Sequence, residues 1–213
     1  MFHRDITQSY WKSNQPVTIE NCLYKTYLIG SMESPGKKDS GITWRRELTI
    51  PLNHRGIYCF DPTKEEVQKV GMKTEELMLK LAGWQSSGNW DLFTSTMRKI
   101  WRGVTKVQED PDTKEPHFFH VLGDVNYVEE SNFLIWTLHD GDSLGGTICE
   151  LSIAWYKRNT PVYLVTDVAK SQINKSLLYF VLDSGHGKGK IFKNYGELLS
   201  FLDGEYKLSV IGE

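Results

Sequence analysis

The segment Phe133-Leu134-Ile135-Trp136-Thr137-Leu138 is a nearly continuous apolar run, and it constrains the fold more than any other feature of the chain. It is far too short to span a bilayer. It also lacks the alternation of a half-exposed strand, so it reads as a central strand of a parallel sheet, buried on both faces. A Gly/Asp-rich loop follows, then a helix from about Thr147 to Lys157, then a second apolar strand from Pro161 to Thr166. Strand, loop, helix and strand make a βαβ unit, whose crossover is almost always right-handed.

The rest of the chain can be read around this unit. Tyr24 to Ile29, ending at Gly30, reads as the first buried strand, and Ile57 to Phe60 as the second. Between them lie a Pro/Gly/Ser loop, Ser34 to Gly41, and a helix from Ile42 to about His54 that Pro51 should kink or shorten. Helices are expected over Thr63–Val70, Thr74–Ala82, Asp91–Val107 and His117–Glu130, with a loop at Gly83–Gly88 and a polar turn at Asp110–Pro116. Leu177–Leu182 reads as a further strand and Tyr195–Leu202 as a C-terminal helix. The expected fold is a single α/β domain over residues 24–213. Its sheet would be doubly wound, Rossmann-like or flavodoxin-like, with about five parallel strands and helices on both faces. Residues 1–23 read as an N-terminal arm, and about 61–116 as a helical insertion.

Composition narrows the partners. The formal charge is -2 and no long basic run occurs, which disfavours binding to a nucleic-acid polymer; Lys188 and Lys190 are at most a local patch. The first residues have no apolar core of a signal peptide. Three widely spaced cysteines, Cys22, Cys59 and Cys149, argue against a disulfide framework and fit a reducing cytoplasm. No metal-ligand spacing is present; His117 and His120 alone are weak evidence for one. No metal and no cofactor are expected, and no membrane contact.

Ligands of an open parallel sheet bind outside the carboxyl ends of its strands. Two such ends carry unusual sequence. After the first strand comes Gly30-Ser31-Met32-Glu33, where glycine admits close backbone approach. After the central strand comes the loop from His139 to Gly146, leading through Thr147 to Glu150. Gly145, Gly146 and Thr147 should lie at a helix N-terminus, where free N–H groups favour anions. Glu150, in the expected first turn, has two readings. It is a capping-box partner of Thr147 or Gly146, or it is a functional carboxylate held near the positive end of the helix.

Several segments together resemble the nucleoside 2-deoxyribosyltransferase family. They are Tyr27-Leu28-Ile29-Gly30-Ser31, Trp44-Arg45-Arg46-Glu47-Leu48, Asp61-Pro62, Gly123-Asp124-Val125-Asn126, Gly146-Thr147-Ile148-Cys149-Glu150 and Asn159-Thr160-Pro161-Val162. They stand in the family's order and cover roughly residues 24–60 and 117–166. The resemblance implies cleavage of the N-glycosidic bond of a nucleoside or nucleotide through a covalent glycosyl intermediate on Glu150, positioned by Tyr27. Asp124 or Asp142 would hold or protonate the base, and Gly30, Ser31, Gly146 and Thr147 would line the sugar or phosphate end. Trp44 would stack on a base or belong to the core. Arg45 and Arg46 would reach a 5′-phosphate or be solvated helix charges. The family's Asp six residues before the nucleophile is replaced by Leu144, with Asp142 the nearest acid, and Ser152 stands in place of a glycine. A phosphoribohydrolase family related to lysine decarboxylases has a similar glycine–threonine motif, but its upstream glycine-rich segment is missing. The implied partners are a nucleoside or nucleotide and a nucleobase, and a second copy of the chain in a homodimer or higher oligomer. Transfer to a second base, hydrolysis of a nucleoside 5′-monophosphate, and non-catalytic nucleotide sensing all remain open at this point.

Overall fold

The computed structural model describes residues 16–32, 41–157 and 160–208. In chain order these form β1 (Tyr24–Gly30), α1 (Ile42–Asn53), β2 (Ile57–Phe60), α2 (Pro62–Val70), α3 (Thr74–Ser87), α4 (Trp90–Arg102), β3 (Val104–Glu109) and β4 (Pro116–Val121). They continue with α5 (Asp124–Glu130), β5 (Phe133–Leu138), α6 (Gly145–Lys157), β6 (Val162–Thr166), α7 (Lys175–Gly187), β7 (Lys190–Phe192) and α8 (Tyr195–Glu205). The chain divides into a sheet unit, Met1–Phe60 with Ser131–Glu213, and a second unit, Asp61–Glu130.

The sheet unit holds five strands in the order β2-β1-β5-β6-β7, every neighbour parallel. Counting only these strands, the order is that of a flavodoxin-like, doubly wound fold. Every residue of β5 and β6 is buried, as their unbroken apolar sequence requires. On one face Leu28, Phe133, Ile135, Tyr163 and Val165 join Leu48 and Leu52 of α1 and Leu198 and Leu202 of α8 in one core. Residues of opposite parity turn to the other face, where α6 packs on β1 and α7 packs on β6 and β7. The chain runs from β1 to β2 on one side and later enters β5 on the other, so the topological switch point falls between β1 and β5.

In the second unit α2, α3 and α4 close around Leu77, Leu81 and Ile100. β3 and β4 form a separate antiparallel ribbon. Among the described residues no helix is long and apolar enough to cross a membrane.

Five expectations need correction. Leu177–Leu182 is helical, within α7: Asn174 caps the helix by accepting from the Ser176 N–H (2.9 Å), and Leu177 and Val181 are buried four residues apart on one face. The strand expected there is instead β7, only Lys190–Phe192. The helix expected over Asp91–Val107 stops at Arg102, because Gly103 adopts φ 78, ψ −175 and turns the chain into β3. His117–Glu130 is not one helix but β4 followed by α5. Conversely α3 runs on through Gly83 to Ser87, where a loop was expected, and ends at Gly88 with φ 70. Pro51 sits in the last turn of α1 without cutting it short. Residues 1–15 of the expected arm and 34–40 of the expected loop lie outside the described residues.

Candidate active site

Glu150 is the sixth residue of α6, since the helix starts at Gly145 rather than Thr147. This removes the capping-box reading: Thr147 is inside the helix and buried, and Glu150 lies one turn beyond a capping position. The Glu150 side chain faces β1. There the Tyr27 hydroxyl, on a fully buried side chain, donates a 2.9 Å hydrogen bond to Glu150 Oε1. Residue parity explains the meeting. Leu28 points into the α1/α8 core, so Tyr27 must point to the opposite face, beneath α6. A carboxylate taken out of water needs hydrogen-bonded partners, and Tyr27 supplies one.

Next to this pair β1 ends at Gly30, with φ 152. A Cβ there would come within 2.9 Å of the Thr137 carbonyl oxygen and 3.1 Å of the Trp44 ring, so only glycine fits. Trp44, half-buried on α1, therefore packs against the strand end, and the Arg45 guanidinium lies over its ring at 4.4 Å.

Arg45 is completely buried. It donates from Nε to the Leu28 carbonyl (3.2 Å), from Nη2 to the Gly30 carbonyl (2.9 Å) and from Nη1 to the Gly41 carbonyl (3.0 Å). β2 stops opposite Tyr27, whereas β5 accompanies β1 to Gly30. Arg45 thus takes carbonyls of β1 beyond the reach of β2 and ties them to the start of α1. The sequence offers Arg45 as a phosphate contact or a solvated helix charge; the structure instead makes it a buried backbone clamp. Arg46 is exposed, and Ser31 is half-buried just beyond the clamp.

The loop before α6 is held by Asp142, whose Oδ2 accepts from the His139 N–H (2.8 Å) while its own N–H donates to the His139 carbonyl (3.2 Å). Gly145 and Gly146 are exposed at the helix start. His139 Nδ1 stands 3.4 Å from Asp167, just past β6, a pair at the carboxyl edge that the sequence reading did not single out.

Asp124 begins α5 in the second unit. Its carboxylate is buried and pairs with the buried Lys69 ammonium at 2.6 Å. Lys69 Nζ also donates to the Ile100 carbonyl (3.3 Å) and lies 5.0 Å from the Tyr127 ring centre. The Tyr127 hydroxyl donates to Glu65 (3.3 Å). Burial raises the Glu65 carboxyl above its ordinary value, against the opposing pull of Tyr127 and Lys69. Lys69, Glu65 and Tyr127 were missed in the sequence, where nothing in their spacing marks them. Among the described residues no group of three or more His, Cys, Asp or Glu side chains could hold a metal ion.

No family model matches the sequence, and no curated protein does. A solved structure similar to the chain is that of a 2-deoxyribosyltransferase from the psychrotolerant bacterium Bacillus psychrosaccharolyticus. It is 15% identical with a TM-score of 0.44, over 82% of this chain and 90% of that one.

Proposed function

We propose that the chain cleaves the N-glycosidic bond of a nucleoside, with Glu150 as the nucleophile, and passes the 2-deoxyribosyl group to a second nucleobase. The observation that carries this reading is the buried Tyr27–Glu150 hydrogen bond at the switch point of the sheet, where ligands of this architecture bind. The motif order from Tyr27 to Glu150 supports it. A carboxylate oxygen attacks C1′, the bond to the base breaks, and its electron pair leaves on the base nitrogen, which takes up a proton from water. A nitrogen of the incoming base then attacks C1′, gives up its proton to water, and releases the Glu150 carboxylate. Tyr27 fixes the plane of the carboxylate. Asp142, on the loop before α6, is our candidate for holding the base, whereas Asp124 is engaged by Lys69. Gly30, Ser31, Gly146 and Thr147 would line the sugar, with Trp44 beside them. We favour a nucleoside over a 5′-monophosphate, because Arg45 is engaged with backbone carbonyls.

The test is incubation with a panel of nucleosides and 5′-monophosphates, with and without a second free base, followed by chromatography. A new nucleoside marks transfer; free base without one marks hydrolysis. Glu150→Gln should stay folded and lose activity. Wild-type turnover by that variant would overturn the assignment, and ligand binding without turnover by either protein would indicate a sensing module.

A further inference from the structure

The last pair in the register between β5 and β6 is Leu138 with Thr166. The residues that follow, His139 and Asp167, therefore leave neighbouring strands side by side. Both Asp167 carboxylate oxygens approach the ring, at 3.4 and 3.5 Å from His139 Nδ1. The backbone around each residue is also fixed. The Val168 N–H donates to Thr166 Oγ1 (3.0 Å), which turns the chain at Asp167. The His139 N–H and carbonyl are both engaged by Asp142. Asp142 is the residue assigned above to the base, so base holder and imidazole belong to one hydrogen-bonded turn. Across the sheet, Gly30 at the end of β1 pairs with Thr137, two residues before His139. The pair thus lies at the carboxyl edge of the sheet, on the loop that leads into the helix of Glu150.

We propose that His139 carries the proton of the reaction, with Asp167 as its positioning residue. The inference rests on the reading of Glu150 given above. A carboxylate beside Nδ1 favours a proton on that nitrogen and leaves Nε2 to give and take another. In the first step the Nε2–H of the imidazolium protonates the departing base nitrogen as the bond to C1′ breaks, and the ring becomes neutral. In the second step a nitrogen of the incoming base bonds to C1′ and gives its proton to Nε2, which restores the imidazolium. One proton leaves and one returns, so no further reactant is consumed. Water makes the same exchange where the imidazole is missing, only more slowly. The His139 side chain is 42% exposed, which leaves the ring open to a ligand at this edge.

The test compares two leaving groups on the full chain: a 2′-deoxynucleoside, whose base needs a proton to depart, and para-nitrophenyl 2-deoxyriboside, whose phenolate does not. Release is followed with enzyme in excess, so that only the first step is read. His139→Gln should slow release from the nucleoside ~100-fold or more, the scale of general acid catalysis, and leave release of the nitrophenolate largely unchanged. Asp167→Asn should show a smaller loss with the same selectivity, and Asp167→Glu should recover part of it. Exposed pairs of this kind contribute little to stability, so these variants should keep the circular dichroism spectrum of the wild type. Glu150→Gln should abolish release from both substrates. If it does, and His139→Gln spares the nucleoside or slows both substrates alike, the proton carrier is not His139 and the nucleophile stands. If the wild type releases neither leaving group, or Glu150→Gln releases both, the reading of Glu150 fails and this inference fails with it.

Discussion

The central strands of the sheet unit and the helices of the second unit bury very different chemistry. β5 and β6 are enclosed by apolar side chains, with polar groups gathered at the carboxyl ends. The second unit has a small apolar cluster built on Leu77, Leu81 and Ile100, and beside it the unit buries Lys69 against Asp124. An apolar core tolerates a missing atom in proportion to the cavity left. A buried ion pair fails as a pair, because the surviving charge is stranded. The contrast teaches that the same degree of burial predicts different mutational behaviour in the two regions.

The largest test of that contrast sets Trp136→Ala against Lys69→Met. Trp136, 1% exposed, should cost about 3–5 kcal/mol through cavity formation, and no second substitution nearby should restore it. Lys69→Met should cost about 3–5 kcal/mol through the stranded Asp124 charge, and Lys69→Met with Asp124→Leu should recover most of it. Denaturant unfolding followed by hydrogen exchange in each unit measures both. If the double variant is no better than the single, the pair is not the element that fails.

A smaller effect is expected where the sheet becomes polar. Tyr27→Phe removes one buried hydrogen bond to a carboxylate, and should lower stability by about 1.5–3 kcal/mol and turnover roughly 10- to 100-fold. Unchanged turnover would place the reaction away from Glu150. The smallest effect concerns Glu65. Its carboxyl is raised in the folded chain, so the folded state binds more protons above pH 4.5, the ordinary value. Stability therefore declines as pH rises through that interval. Glu65→Gln should flatten this slope in thermal melts, and an unaltered slope would refute the assigned cause.

What could be read from the sequence follows the same division. β1, β2, β5 and β6 are legible because their apolar runs are bounded by Gly, Pro or Asp, and the Tyr27–Glu150 hydrogen bond joins two segments that the sequence motifs single out. The Leu177–Leu182 segment is apolar enough for either strand or helix, and the Asn174 cap decides for helix. β3 was hidden because Val104 and Val107 continue the apolar spacing of α4 past Gly103. The roles of Arg45 and Lys69 were not legible at all. Their bonds reach residues 17 and 55 positions away, and only the folded backbone brings those partners together.

The Arg45 clamp carries one further consequence. Because one guanidinium binds Gly30 on one side and Gly41 on the other, residues 31–40 are bracketed by anchors that do not depend on their own sequence. The end of β1 therefore keeps its place through one buried side chain of α1 rather than through the segment that joins them. The same bracket offers an engineer a natural splice point.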